Sequence, residues 1–493
     1  MGTVKKLAGD TAIYGMSSII GRFLNWWLVP YYSRIFLPEE YGVVTNLYSY
    51  VAILLVLLTY GMETGFFRFA GQNRDDEKIY STSLISLFLT SVSFVLLIFA
   101  FSAQIAGWID YSEHPEYVIW MGIIVAIDAF TALPFALLRL KNKAMKFAML
   151  KFLNIGITIG ANLFFLSFCP WILKHHPGSF FRHLYSPEIG IGYVFIANLI
   201  ASVVLIITLL PEIFSIKMKF DWPLMKQMLA YSFPVLIVGV TGMINQNIDK
   251  ILIPQLISSE QNPMEQLGIY GANYKLAVLM NMFIQAFRYA FEPFFFSRKK
   301  DQESNRIYEL IMKYFVIFGL AIFLGMTLFM DLIKMVIDPR YHEGLKVVPL
   351  ILMANLFLGI YFTLSLWYKL TDKTIYGAYI ATFGSALTLA LNFLLIPKIG
   401  YMGSAIAVLV CFVSMTVISY YYGQKYFPLN YDLRRMGIYF AVSLVLYFMF
   451  VALPVRSFLF QLCTGAVLFA IFALAVYRGE RNELKNLLRK QRR

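Results

Sequence analysis

Several apolar stretches of the chain carry polar and charged side chains at helical spacing. Tyr14, Ser18, Arg22 and Asn25 fall on one face of the first stretch. Arg22 lies fourteen residues from its start, about 21 Å of helix, too deep to snorkel easily to a polar edge. Asn281, Gln285, Arg288 and Glu292 are spaced 4, 3 and 4 and stack along one face, with Lys275 upstream. Asn245, Gln246, Asn247, Asp249 and Lys250 form a third group, preceded by Gly239 and Gly242, which are expected to loosen the helix. Glu63, Thr64 and Arg68 end a fourth stretch, and Asp128 lies in a fifth. Isolated cations in apolar surroundings bind anions, above all phosphates, and acids there carry protons or cations. Arg22, Asn25, Lys250, Lys275, Gln285 and Arg288 are therefore the candidate substrate-binding residues. Glu63, Asp128, Asp249 and Glu292 are the candidate coupling or cavity acids. The competing reading is internal salt bridges, Arg288 with Glu292, Asp249 with Lys275 and Glu63 with Arg68, with Arg68 reaching the inner headgroups.

The elements that position these residues follow from composition. Of 493 residues, 59% are hydrophobic and 14% charged, and the mean hydropathy is +0.67. Soluble domains sit nearer 25% charged, so the chain reads as an integral membrane protein. A soluble enzyme, a disordered chain and a disulfide scaffold are excluded. Cys169, Cys411 and Cys463 lie in or beside apolar runs without paired spacing, which gives neither disulfides nor a metal site. Lys5 and Lys6 precede an apolar segment too long and aromatic for a cleaved signal, so it is expected to stay as a helix. At about 20 apolar residues per span, fourteen transmembrane helices are expected. They are 8–35, 43–68, 80–105, 117–140, 147–170, 188–211, 224–255, 268–296, 307–335, 347–369, 375–397, 403–423, 435–453 and 457–477.

Loop charge sets the orientation. With the N-terminus inside, the inner segments and tail hold 28 of the 42 Lys and Arg residues and the outer loops six. Both termini are thus expected in the cytoplasm, and the net charge of +14 marks inner loops rather than a nucleic-acid surface. The longest outer loop, 171–187, carries His175, His176 and His183 but no accompanying carboxylate or cysteine cluster. The tail 478–493 reads as a short basic amphipathic helix against anionic headgroups or, equally, as a solvated basic end.

The first outer turn, Pro38-Glu39-Glu40-Tyr41-Gly42, is followed by Tyr48, and the fourth, Glu265-Gln266-Leu267-Gly268, by Tyr274. Each places Gly at a helix entry and Tyr six residues later. Ile189-Gly190-Ile191-Gly192 and Gly400-Tyr401-Met402-Gly403 are weaker echoes. The repeat gives an all-α polytopic fold: an N-lobe of spans one to six at 1–211, a C-lobe of spans seven to twelve at 212–423, two further helices at 424–477 and the tail at 478–493.

The segments Tyr14-Gly15-Met16-Ser17-Ser18-Ile19-Ile20-Gly21-Arg22, Leu37-Pro38-Glu39-Glu40-Tyr41-Gly42, Asp249-Lys250-Ile251-Leu252-Ile253, Leu267-Gly268-Ile269-Tyr270, Phe291-Glu292-Pro293-Phe294-Phe295 and Gly400-Tyr401-Met402-Gly403-Ser404-Ala405-Ile406-Ala407 carry a resemblance. In their order, over nearly the whole chain, the sequence resembles bacterial polysaccharide flippases (O-antigen type) of the multidrug/oligosaccharidyl-lipid/polysaccharide exporter superfamily. The resemblance implies two six-helix lobes in a V opening alternately to each side. It implies translocation of an isoprenoid-diphosphate-linked oligosaccharide from the inner to the outer leaflet of the bacterial cytoplasmic membrane. It also implies a basic cavity, which Arg22, Lys250 and Arg288 would supply. Membrane lipids, H+ or Na+ as coupling ion and a glycan polymerase are the further expected partners; no cofactor is expected. No G-x-x-x-x-G-K-[ST] run is present, so direct ATP hydrolysis is not supported. The rival within the superfamily is an ion-coupled multidrug exporter, disfavoured because its cationic cargo wants an acid where Arg22 stands. A polytopic glycosyltransferase or polymerase ranks lower: the first outer loop is too short for a catalytic site, and its Glu39-Glu40 pair reads as a capped turn.

Overall fold

A computed structural model describes the backbone of residues 2–70, 76–297, 302–371, 373–454 and 457–491, and side chains except those of 2–12, 290, 292–297, 302–304 and 482–491. The chain divides into two compact units, Met1–Gly271 with Thr388–Gly400, and Ala272–Leu387 with Tyr401–Arg493. Every element of eight or more described residues is helical. The first unit holds α1 (Gly2–Trp26), α2 (Leu28–Ile35), α3 (Pro38–Thr59), α4 (Met62–Ala70), α5 (Asp76–Trp108), α6 (Pro115–Leu140), α7 (Ala144–Leu163), α8 (Cys169–His175), α9 (Gly192–Ile213), α10 (Trp222–Leu256) and most of α11 (Pro263–Leu276). The second holds α12 (Val278–Ser297), α13 (Gln302–Leu328), α14 (Met330–Ile333), α15 (Val348–Leu364), α16 (Leu366–Leu370), the first half of α17 (Ile375–Ile399), α18 (Tyr401–Tyr426), α19 (Leu433–Ala452) and α20 (Phe458–Gln491).

Prolines and glycines set the breaks. The Pro30 ring opposes the carbonyl four residues back, and α1 accordingly stops at Trp26. Pro170 acts the same way on the preceding turn, which widens into a π-helix over Phe164–Phe168, where Cys169 N–H reaches back to the Phe164 carbonyl. Pro38 opens α3 at its first turn, and Glu40 accepts the Leu37 amide at 2.7 Å, so the Glu39-Glu40 pair is a cap, as expected. Tyr60 and Gly61, both at positive φ, separate α3 from α4. Gly239 and Gly242 do not loosen α10, which runs unbroken for 35 residues. A single glycine costs only about 1 kcal/mol in a helix that packs along its length.

Twelve helices among the described residues are long and apolar enough to cross a membrane. The chain is a multi-pass membrane protein. Phe88, Leu89, Val92, Leu96 and Phe99 on α5 are exposed together, a stripe that water would not tolerate and lipid does. The two other expected spans, 8–35 and 268–296, are helical but divided at Trp27 and Ala277. They contain Arg22 and Arg288, and their polar content keeps them out of the twelve. The tail also departs from expectation. It is not a separate short helix: α20 continues without a break from the last span to Gln491.

In the first unit α10 packs along α3 and α4. Gly65 gives way to the Ser232 hydroxyl, and at the other end Gly42 and Gly268 let α3 and α11 cross with backbones in contact. Met62, Phe66, Tyr80, Leu133 and Met228 form the fully buried core beside this seam. In the second unit α15 packs on α18 through Ala354, Val408, Cys411 and Phe412. There α19 and α20 join α13 through an ionic hub. Lys313 Nζ and Glu480 Oε2 lie 2.7 Å apart with side chains 5% and 1% exposed, and Tyr439 donates to Glu480 Oε1 at 2.7 Å.

Candidate functional site

The first-unit candidates fall into three places. On α1, Gly21 sits against the Ile155 side chain of α7, which seats the helix, while Arg22 and Asn25 are exposed. The Ser18 hydroxyl is taken up by the Tyr14 carbonyl at 2.9 Å, so the expected polar line narrows to Arg22 and Asn25.

Asp128, half-buried on α6, accepts the Ser202 hydroxyl of α9 at 3.0 Å and interacts electrostatically with Lys151 of α7. Lys151 lies 4.2 Å over the Phe135 ring and 5.9 Å from Phe147. Sequence reasoning missed Lys151, although a lysine inside Met149-Leu150-Lys151-Phe152-Leu153 was the available signal. Glu63 pairs with Arg139 of α6 rather than with Arg68, and the Arg139 guanidinium also covers Phe67 at 4.8 Å. Arg68 lies 6.0 Å from the Tyr231 ring. Residues 63 and 68 leave a nine-residue helix at different angles, whereas α6 runs directly beside α4.

The third place is the buried polar group on α10. Asp249 Oδ1 accepts from Lys250 Nζ at 3.0 Å and Oδ2 from the Tyr270 hydroxyl at 2.6 Å. Lys250 Nζ also donates to the Gln246 carbonyl at 2.8 Å. Asn46 Nδ2 bonds the Lys250 carbonyl at 2.9 Å, Tyr111 donates to Asn46 Oδ1 at 3.1 Å, and Thr388 reaches Asn245 at 3.4 Å. Burial raises the Tyr111 phenol well above its ordinary value, which keeps it a donor. Lys250 is therefore a neutralised cation and not an isolated one.

In the second unit Gln285 and Arg288 follow one another on α12, both half-buried, and the Arg288 guanidinium lies 4.5 Å over Phe362 of α15. Gly359 leaves room for Ile284 on the adjoining face. Lys275 near the end of α11 is half-buried. The Glu292 side chain lies outside the described residues, and with it the expected Arg288–Glu292 pair. Groups of three His, Cys, Asp or Glu able to hold a metal are absent among the described residues. The arrangement thus offers exposed and ring-backed guanidinium groups on polar helix faces, with Asp128 and Asp249 engaged by hydroxyls and lysines and Glu63 by Arg139.

Residues 7–299 match the model of a family described as polysaccharide biosynthesis protein. The chain belongs to that family. No curated protein matches this family member at a significant level. Among solved structures it is similar to "Lipid II flippase MurJ, inward closed conformation", with TM-score 0.70, 14% identity, and 94% of this chain and 99% of that one covered. An inward-facing multidrug resistance MATE family transporter of the MOP superfamily gives TM-score 0.66 at 12% identity, covering 85% and 97%. The MATE multidrug transporter DinF-BH gives 0.60 at 15%, covering 86% and 97%. These likenesses give the fold: the polysaccharide biosynthesis family member has the architecture shared by MurJ and the MATE transporters.

Proposed function

We propose that the protein is a flippase that moves an isoprenoid-diphosphate-linked oligosaccharide from the inner to the outer leaflet of the bacterial cytoplasmic membrane for cell-surface polysaccharide synthesis. The observation that carries the reading is Arg22, an exposed guanidinium deep in an apolar stretch of a polysaccharide-biosynthesis family member. A guanidinium binds phosphate oxygens in pairs, and a lipid diphosphate supplies them. Arg22 and Asn25 are the proposed headgroup-binding residues of the first unit and Lys275, Gln285 and Arg288 those of the second, and the isoprenoid tail stays in lipid. Lys250, neutralised by Asp249, is the weaker of the basic candidates.

In this reading the protein works by alternating access, and both termini face the cytoplasm, where 28 of 42 basic residues collect. Two negative charges moving outward through about 100 mV gain roughly 4–5 kcal/mol, enough to bias the step. Asp128, beside Lys151 and Ser202, is the proposed site of H+ or Na+ coupling. A glycan polymerase would take the product on the outer side. A cationic drug would be repelled by Arg22, which places multidrug export second.

The test is a flipping assay in proteoliposomes with a fluorescent isoprenoid-diphosphate oligosaccharide and a membrane-impermeant quencher. Wild-type protein should move the probe, Arg22→Ala should fall to background with an unchanged melting curve, and Arg22→Lys should retain part of the rate. Full activity of Arg22→Ala would sink the reading.

A further inference from the structure

At one end of the second unit, α16, α17 and α18 bring together a block of aromatic rings with two ammonium groups on it. Tyr376 and Tyr426 share a hydrogen bond between their hydroxyls at 2.7 Å. Trp367 stacks on Tyr426 with centroids 5.7 Å apart and planes 19° from parallel, and meets Tyr376 edge-on at 5.4 Å. Lys373 Nζ lies 3.7 Å over the Tyr426 ring, and Lys425 Nζ lies 5.6 Å from the same centroid. Glycines make the block possible. A β-carbon at Gly377 would enter the Tyr368 ring, and one at Gly423 would press on Trp367. Trp367 is 3% exposed and its indole N–H donates to Ser419 at 3.3 Å, so the base is rigid. Tyr422 meets Tyr376 at 5.3 Å, and on the rim Tyr379 lies 6.3 Å from Tyr376 and Tyr421 lies 5.6 Å from Tyr422, at 64% and 68% exposure.

An aromatic belt at a membrane edge needs single rings at headgroup depth. It does not need five rings locked together on two glycines, nor two lysines against one ring. Ring faces suit the C–H faces of a pyranose, and the lysines, whose attraction for Tyr426 leaves their charge in place, suit a diphosphate. The geometry points to an entry docking site in which Lys373 and Lys425 hold the diphosphate, and Tyr379 and Tyr421 hold the first sugar, of the lipid-linked saccharide. The inference rests on the flippase reading and on its orientation, which places this end at the cytoplasmic face. The site lies apart in sequence from Arg22 and from the α12 face with Gln285 and Arg288. Its task is capture before translocation, so it acts on the rate of arrival.

The experiment uses full-length protein in nanodiscs of neutral phosphatidylcholine and a fluorescent farnesyl-diphosphate N-acetylglucosamine, followed by anisotropy. Lys373→Gln with Lys425→Gln should slow association about tenfold and flatten its salt dependence, with the dissociation rate changed less than about twofold. Lys373→Arg with Lys425→Arg should keep the wild-type rate. Tyr379→Ala with Tyr421→Ala, both at exposed positions, should erase the advantage of the sugar-bearing probe over farnesyl diphosphate. Unchanged association in the glutamine pair, or an unchanged sugar advantage in the alanine pair, overturns the site. Competition by phosphatidylglycerol as strong as by the probe would make it an ordinary lipid belt and also overturn it. If wild-type protein binds neither probe, the flippase reading fails too; if it binds both and the variants match it, this site alone fails.

Discussion

Gly42 and Gly268 face each other, backbone against backbone, across the crossing of α3 and α11. A β-carbon on Gly42 would run into the Met264 carbonyl, and one on Gly268 into the Pro38 carbonyl. Each glycine thus looks at the residue four before the other, a reciprocal arrangement that repeats the matched Gly42–Tyr48 and Gly268–Tyr274 spacing of the two segments. Overpacking costs typically about 1–3 kcal/mol, and a backbone carbonyl cannot turn aside like a side chain. Gly42→Val and Gly268→Val are each expected to lower the melting temperature in detergent by several degrees and to stop export. A melting curve equal to wild type in either would remove the crossing as a structural requirement.

Orientation is open to labelling. A cysteine at Glu40 or Pro263 should react with an impermeant maleimide on intact cells, and one at Asp76 should react only after lysis. Reaction of the Asp76 position from outside would overturn the loop-charge reading.

The Asp249–Lys250 pair separates a fixed bridge from a coupling acid. Removing the Asp249 carboxylate alone leaves a buried ammonium without its counter-charge, a loss of about 3–5 kcal/mol, whereas removing both charges together is nearly neutral. Asp249→Leu should fold poorly, and Asp249→Leu with Lys250→Met should regain both melting temperature and at least half of export. A well-folded double variant with no export would assign the acid a part in transport.

The same logic applies to Lys313 and Glu480, with side chains 5% and 1% exposed. Glu480→Ala should destabilise by about 3–5 kcal/mol, and Lys313→Met with Glu480→Leu should recover most of it. Thermal unfolding in detergent followed by circular dichroism measures both.

Asp221 caps α10 by accepting the Leu224 amide at 2.8 Å and pairs with Lys78. The amide bond, then the Lys78 ammonium, hold its carboxyl below the ordinary 3.8. A carboxyl lowered on folding stabilises the fold at pH values above its unfolded value. That contribution fades as the pH falls through the lower folded value. Acidification from about pH 5 to about pH 3 should therefore loosen this helix start. Asp221→Asn, which keeps the cap without the charge, should show a smaller drop in melting temperature over that interval. An equal drop would assign the acid sensitivity elsewhere.

Helices are legible in the sequence wherever an apolar run ends at Pro or Gly, as at Pro38 and Gly400, because the break and its cause lie within a few residues. The Glu40 cap is legible for the same reason. Partners are not. Glu63 takes Arg139 over Arg68, and Lys146 takes Glu212, because helix packing brings neighbours from 76 and 66 positions away. Lys151 is hidden by its company: inside the expected span 147–170 no acid lies near it in sequence, and only folding brings Asp128 of α6 within its field. The tail misleads because its change to basic composition suggests a new element, whereas a helix with neither proline nor a glycine pair has no reason to stop.

The hub of Lys313 and Glu480 has a consequence for how the protein is made. Its two halves lie 167 residues apart in the chain, so at ribosomal speeds of roughly 5–20 residues per second the lysine emerges roughly 8–33 s before its counter-ion. For that interval Lys313 lacks the Glu480 carboxylate, and α13 lacks the ion pair that ties it to α20. A chain cut short before residue 480 would hold it in that condition permanently. The last turn of the final span therefore supplies the contact that completes the packing of a helix made 167 residues earlier.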